Sequence, residues 1–139
     1  NVGAVLRLGA CLGVPVDLIE PLGFAWDDAR VRRTAMDYID RVAITRHADW
    51  AAFHASIGTA RRLVLLTTKG SNSAHDFTFR PDDVLLFGKE SAGAPPHVHA
   101  ACEGRIRLPM RVEVRSLNLA MSAGLAVGEA LRQTGGLPR

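Results

Sequence analysis

Nowhere in these 139 residues do 18 apolar residues run without interruption, so no segment reads as a membrane-spanning helix. Cysteine is scarce. Cys11 and Cys102 are the only two, far apart and in no CxxC spacing, which reads as two reduced thiols in a reducing cytosol rather than a disulfide framework. The first residues carry Arg7 inside an apolar stretch and do not resemble a secretory signal, so a cytoplasmic location is expected. GxGxxG and GxxxxGK[ST] are both missing, which removes the sequence support for a dinucleotide or triphosphate site. GxSxG is missing too, and no cysteine pairs convincingly with a histidine as a nucleophile. His97 and His99 do not share a helix face, and no cysteine or acidic residue completes a ligand set around them; no metal is expected. Internal repeats, low-complexity tracts and linkers are likewise missing. The chain reads as one domain over residues 1–139.

What is present is an ordinary globular balance, 47% hydrophobic and 22% charged residues. The formal net charge of +3 and pI of about 9.4 permit a polyanionic partner without requiring one. Arginines cluster at two places: Arg30, Arg32 and Arg33 in DDARVRR, and Arg105, Arg107, Arg111 and Arg115 around the segment that precedes the last helix. Short apolar runs (VPVDLIE, RVAIT, RRLVLLTT, DVLLFG and RIRLPM) alternate with segments of helical spacing. These are VGAVLRLGACLG, DDARVRRTAMDYI, ADWAAFHAS, PPHVHAACE and SLNLAMSAGLAVGEALRQ. That alternation predicts an α/β fold with a mainly parallel sheet flanked by helices. Asp27 or Asp28 suits an N-cap, Gly13 a helix stop, and Pro95 and Pro96 a first turn. A parallel sheet feeds each strand through a crossover, yet the numbering opens on a helix, so a strand ahead of Asn1 is expected to be missing from it.

Ligands of open α/β sheets gather beyond the carboxyl ends of the strands. The loops there are EPLGFAWDD, TTKGSNS, GKESAGAP and PMRVEVRS. In the third, Gly88 and Gly93 let backbone approach a ligand, while Glu90 would repel an anion; the bland reading is a tight turn with a solvated carboxylate. In the last, Ser116 reads as an N-cap or as a pocket residue, with Asn118 close behind. The small stripe Ala120, Ala123, Gly124, Ala126 and Gly128 fits a buried core helix or a close helix–helix contact equally well. Arg7, mid-helix among apolar neighbours, reads on pattern alone as a solvated side chain.

Three ordered segments carry more. NVGAVLRLGACLG resembles an N-x-G-x-x-x-R motif, LLFGKESAGAP resembles F-G-x-E-x-x-G, and IRLPMRVEVRSLNLAMSAGLAV resembles I-x-[IL]-P-M followed by S-x-N-[LV]. These are the motifs of the SPOUT superfamily of S-adenosylmethionine-dependent RNA methyltransferases, in its TrmH-like branch. The similarity extends through IEPLGFAWDDARVRRTAMDY, TRHADWAAF and LTTKG to compact members that methylate the ribose 2′-oxygen of the tRNA wobble nucleotide.

The resemblance implies a C-terminal deep trefoil knot whose loops hold S-adenosylmethionine, leaving S-adenosylhomocysteine as product. It implies cofactor contacts from Leu66, Thr67, Gly88, Glu90, Gly93, Leu108, Met110, Ser116 and Leu117, with Glu90, Ser116 and Asn118 organising the pocket. It places Arg7 nearest the reacting ribose with Asn1 beside it, and the first and last helices in a homodimer interface. RNA contacts are expected from Arg7, Arg30, Arg32 and Arg33. Two positions depart from the family pattern: Gly128 stands where a tyrosine is common and Met121 where an asparagine is. The rival readings are a ribose methyltransferase acting on another tRNA position or on rRNA, and a catalytically silent RNA-binding module.

Overall fold

The computed structural model describes residues 2–22, 29, 38–89, 93–114 and 117–139. Contacts divide the chain into two compact units, one of Asn1–Gly58 with Pro138–Arg139, the other of Thr59–Leu137.

In the first unit, helix α1 (Val2–Leu12) buries Gly3, Leu6 and Gly9 at the three-residue spacing that its apolar stripe predicts. Gly9 is the close approach. A Cβ there would lie 2.7 Å from the Val14 carbonyl oxygen and 2.8 Å from the Val16 side chain. The helix stops at Gly13, whose φ of 70° lies in the left-handed region. Strand β1 (Val16–Ile19) pairs in parallel with β2 (Ile44–His47), joining Val16 to Ile44 and Ile19 to His47. A 3-10 turn, Tyr38–Arg41, precedes β2. Helix α2 (Trp50–Ile57) starts at Asp49, whose carboxylate accepts the Ala52 N–H at 2.8 Å. Among the described residues of this unit, Leu6, Leu18 and Phe53 are buried apolar side chains.

The second unit is built on a four-stranded, wholly parallel sheet. Strands β3 (Leu63–Leu66), β4 (Asn72–Ser73), β5 (Val84–Phe87) and β6 (Gly104–Arg107) lie in the order β4-β6-β3-β5. Leu63, Val64 and Leu65 of β3 are buried, as a continuous apolar run in a parallel sheet should be; each such side chain is worth about 1.5–3 kcal/mol as an upper figure. Strand β6 departs from that pattern and alternates, with Gly104 and Ile106 in and Arg105 and Arg107 out. Arg62 donates to Asp83 through Nε and Nη2 at 2.8 and 2.7 Å, clamping the starts of β3 and β5. Helix α3 (Pro96–Ala101) begins at its proline pair, and α4 (Leu119–Thr134) ends at Gly135 in the left-handed region. Gln133 of α4 accepts from Phe79 N–H and donates to the Phe77 carbonyl, both at 2.9 Å, which fixes the helix on the β4–β5 connection.

Several expectations need adjusting. The described strands form two parallel sheets, one of two strands and one of four. β4 is a two-residue strand that no apolar run announces. The last helix starts at Leu119, not at Ser116: Asn118 is its N-cap, with Oδ1 accepting from Ala120 and Met121 N–H at 2.9 and 3.2 Å. This amide oxygen satisfies two of the orphan donors of the first turn, while Ser116 lies outside the described residues. Asp27 and Asp28 lie outside the described residues. Both cysteines are free, Cys11 exposed and Cys102 buried. Among the described residues no helix is long and apolar enough to cross a membrane.

Candidate functional site

The carboxyl ends of three strands finish level with one another. Leu66 is the register partner of Phe87 on one side and of Ile106 on the other, and Asn72 pairs with Ile106 beyond it. The loops that follow β3, β5 and β6 therefore leave from a single row. The structure thereby brings together Leu66, Thr67, Gly88 and Leu108, all within two residues of that row.

The loop after β3 is tied to the end of β6. Thr67 N–H donates to the Ile106 carbonyl at 2.9 Å, and Ala74 N–H, at the far end of the loop, donates to the Arg107 carbonyl at 2.8 Å. Inside it, Lys69 N–H donates to Thr67 Oγ1 and Gly70 N–H to the Thr67 carbonyl, which closes a tight turn. Gly70 is the closest approach in the unit. A Cβ there would sit 2.4 Å from the Ile106 carbonyl carbon and 2.7 Å from Arg107 N. Arg107 Nη1 in turn donates to the Gly70 carbonyl at 3.1 Å.

The loop after β5 folds back on itself. Gly93, at a φ of 67°, donates its N–H to the Lys89 carbonyl at 2.7 Å. Gly88 is held against this return: its Cβ would lie 2.5 Å from both Ala94 N and the Gly93 carbonyl carbon. Both glycines are thus required by geometry, one for its left-handed φ and one for the close backbone. Glu90 lies outside the described residues, as do Asn1, Arg30, Arg32, Arg33 and Ser116.

After β6, Leu108 is buried and the chain runs through Pro109 and Met110 into a turn closed by the Val114 N–H to Arg111 carbonyl bond, 3.1 Å. A cavity of about 360 Å³ opens here, lined by Thr68, Arg107, Leu108, Pro109, Met110, Arg111, Val112 and Val114. Leu108 and Met110 had been singled out in the sequence. Arg107 and Arg111 belong to the arginine cluster of the sequence, whereas Thr68, Gly70, Val112 and Val114 carry no individual signal there, although TTKGSNS is visible as a strand-end loop. Leu117 is 38% exposed, and the Asn118 amide is engaged at the start of α4. Arg7 lies exposed on α1 of the first unit. Among the described residues no three His, Cys, Asp or Glu side chains gather as a metal site.

This geometry suits a small ligand with an apolar body and polar edges. Apolar Leu108 and Met110 line the cavity, and Gly70, Gly88 and Gly93 leave the neighbouring loops without side chains at those positions.

Known proteins resemble this chain along most of its length. The model of the SpoU rRNA Methylase family matches residues 1–128. A protein of Beijerinckia indica named tRNA (cytidine(34)-2′-O)-methyltransferase is 54% identical over 140 residues, spanning 100% of this chain and 88% of that protein. A structure solved under the description "Structural insights into the 2-OH methylation of C/U34 on tRNA" superposes with a TM-score of 0.90 at 39% identity, over 95% of this chain and 86% of that one. An AdoMet-bound rRNA methyltransferase from Sinorhizobium meliloti superposes with a TM-score of 0.83 at 25% identity, over 94% of this chain and 51% of that one.

Proposed function

This chain belongs to the SpoU rRNA Methylase family, and from that membership we propose that it methylates the ribose 2′-oxygen of the wobble nucleotide, position 34, of tRNA, with S-adenosylmethionine as methyl donor. The observation that carries the reading is the single row of strand ends with its two glycine turns, in a chain 54% identical to a named tRNA (cytidine(34)-2′-O)-methyltransferase along its whole length.

The bound cofactor supplies an electrophilic methyl group. The protein's task is alignment of the hydroxyl with it and assistance to the loss of one proton. Backbone and side chains of Leu66, Thr67, Gly88, Gly93, Leu108, Met110 and Leu117 would hold the cofactor, with Glu90, Ser116 and Asn118 ordering the wall. Arg7, with Asn1 beside it, would hold a phosphate and polarise the hydroxyl. A guanidinium stays protonated in proteins, so it orients and stabilises rather than accepting the proton, which leaves to phosphate or water. Arg30, Arg32 and Arg33 would add phosphate contacts. The whole of residues 1–139 would act as one methyltransferase domain in the cytoplasm.

Two further features belong to this reading. Because β6 inserts between β3 and β4, the chain leaving Arg107 passes the loop of residues 67–73, which supports a knotted C-terminal half. The homodimer is supported by one face of α4. Met121 and Leu125 are 63% and 55% exposed, and a Cβ on Gly124 or Gly128 would meet nothing within 4 Å. Light scattering should give twice 15.0 kDa, and Leu125→Asp should halve it.

The deciding experiment is nucleoside mass spectrometry of tRNA incubated with the protein and S-adenosylmethionine. A 2′-O-methylated nucleotide at position 34 is expected; methylation elsewhere, or none, would overturn the assignment. Single-turnover transfer by Arg7→Lys, which keeps the charge but loses the planar fork, should fall steeply while cofactor binding holds.

A further inference from the structure

The turn Arg111–Val114 is an odd one. Its corners are Val112 and Glu113, where turns usually carry Gly, Pro, Asn, Asp or Ser, and Val112 is 99% exposed. Val114 is 55% exposed beside it. These two bare β-branched side chains share the lining of the 360 Å³ cavity with Arg107 and Arg111, and among the described residues no acidic side chain lines it. Arg107 is anchored through Nη1 to the Gly70 carbonyl. Arg111, 86% exposed, meets Glu113 at 3.2 Å from its Nε, a solvated pair that an incoming anion displaces at little cost. A positively charged rim with an adjoining apolar tip matches one nucleotide: a phosphate for the guanidinium and the face of a base for the valine.

Resting on the reading of the chain as an RNA methyltransferase, we propose that the Arg111–Val114 turn is an RNA-contact element, in which Arg111 binds a backbone phosphate of the substrate and Val112 packs against the adjacent base or ribose. Leu108 and Met110 face the same cavity, so this nucleotide sits next to the cofactor wall and the turn helps set the approach of the substrate strand. A protein partner is the less suitable occupant, because the two arginines punctuate the apolar surface.

The test uses the full chain and unmodified tRNA, with binding read by fluorescence anisotropy across a salt series and transfer read as KM and kcat. Arg111→Gln should weaken tRNA binding about tenfold and flatten the slope of log K against log salt by about one, whereas Arg111→Lys should retain the slope. Val112→Asp, a change at a fully exposed position, should raise KM for tRNA at least as much, with an unchanged melting temperature and unchanged kcat. The affinity for S-adenosylmethionine, by titration calorimetry, should not move in any of the three. Unaltered tRNA affinity and slope would overturn the proposal. So would a loss of cofactor affinity, which would assign the cavity to the cofactor, or a change in molecular mass by light scattering, which would assign the turn to a second copy. Wild-type protein that binds tRNA but fails to methylate it would sink the catalytic reading, and the salt slopes would still decide the role of Arg111.

Discussion

Gly70→Ala is the substitution whose cost the geometry states most directly. The added carbon would lie 2.4 Å from the Ile106 carbonyl carbon, 2.6 Å from its oxygen and 2.7 Å from Arg107 N. All three are backbone atoms of β6, so no side-chain rotation relieves the clash. Overpacking of this kind costs about 1–3 kcal/mol. Retreat of β6 also stretches the Thr67–Ile106 and Ala74–Arg107 hydrogen bonds, at about 1 kcal/mol each. The total is about 3–5 kcal/mol, a large share of the roughly 5–15 kcal/mol that holds a domain of this kind folded. Urea unfolding followed by circular dichroism should give a correspondingly lower midpoint. Gly124→Ala is the control, since its Cβ meets nothing within 4 Å and alanine in a helix interior is favoured by about 0.5–1 kcal/mol. A Gly70→Ala midpoint equal to wild type, with cofactor affinity intact, would refute the idea that β6 is held against this loop.

Asn118→Ala should lower stability by about 1 kcal/mol through loss of the α4 cap, read as the shift of the urea midpoint; a fall in cofactor affinity beyond that loss would give Asn118 a pocket role as well. Burial pushes the Cys102 thiol up to about 11, so a chromogenic disulfide reagent at pH 8 should titrate Cys11 alone in the native protein and both cysteines in urea. Hydrogen bonds from Arg132 and then Gln133 hold the Glu129 carboxyl down at about 2 from an ordinary 4.5. A carboxylate lowered on folding contributes stability that is complete above pH 4.5 and is lost as pH falls toward 2; Glu129→Gln should therefore flatten the acid limb of the melting-temperature profile.

Local structure was legible because its signals sit within a few neighbouring residues. The proline pair at 95 and 96, the Gly13 stop and the apolar run Leu63–Leu66 all lie where the pattern predicts. The Gly88 and Gly93 motif was readable for the same reason: tight turns write their backbone needs into residue type. The start of the last helix was less clear. Serine and asparagine cap equally well by residue type, so the pattern leaves the choice between Ser116 and Asn118 open, and the structure shows Asn118 Oδ1 accepting from two N–H groups at the helix start.

Strand order was beyond sequence. Nothing in GRIR states that it inserts between LVLL and the two-residue strand NS, because parallel partners are brought together by crossovers spanning tens of residues and their register is a property of the packed sheet. From that insertion follow the need for glycine at position 70, the level row of strand ends and the cavity behind Thr68. The exposure of Val112 belongs to the same class. Composition marks valine as a core residue, and only the fold turns it outward, on a hydrogen-bonded turn beside two arginines.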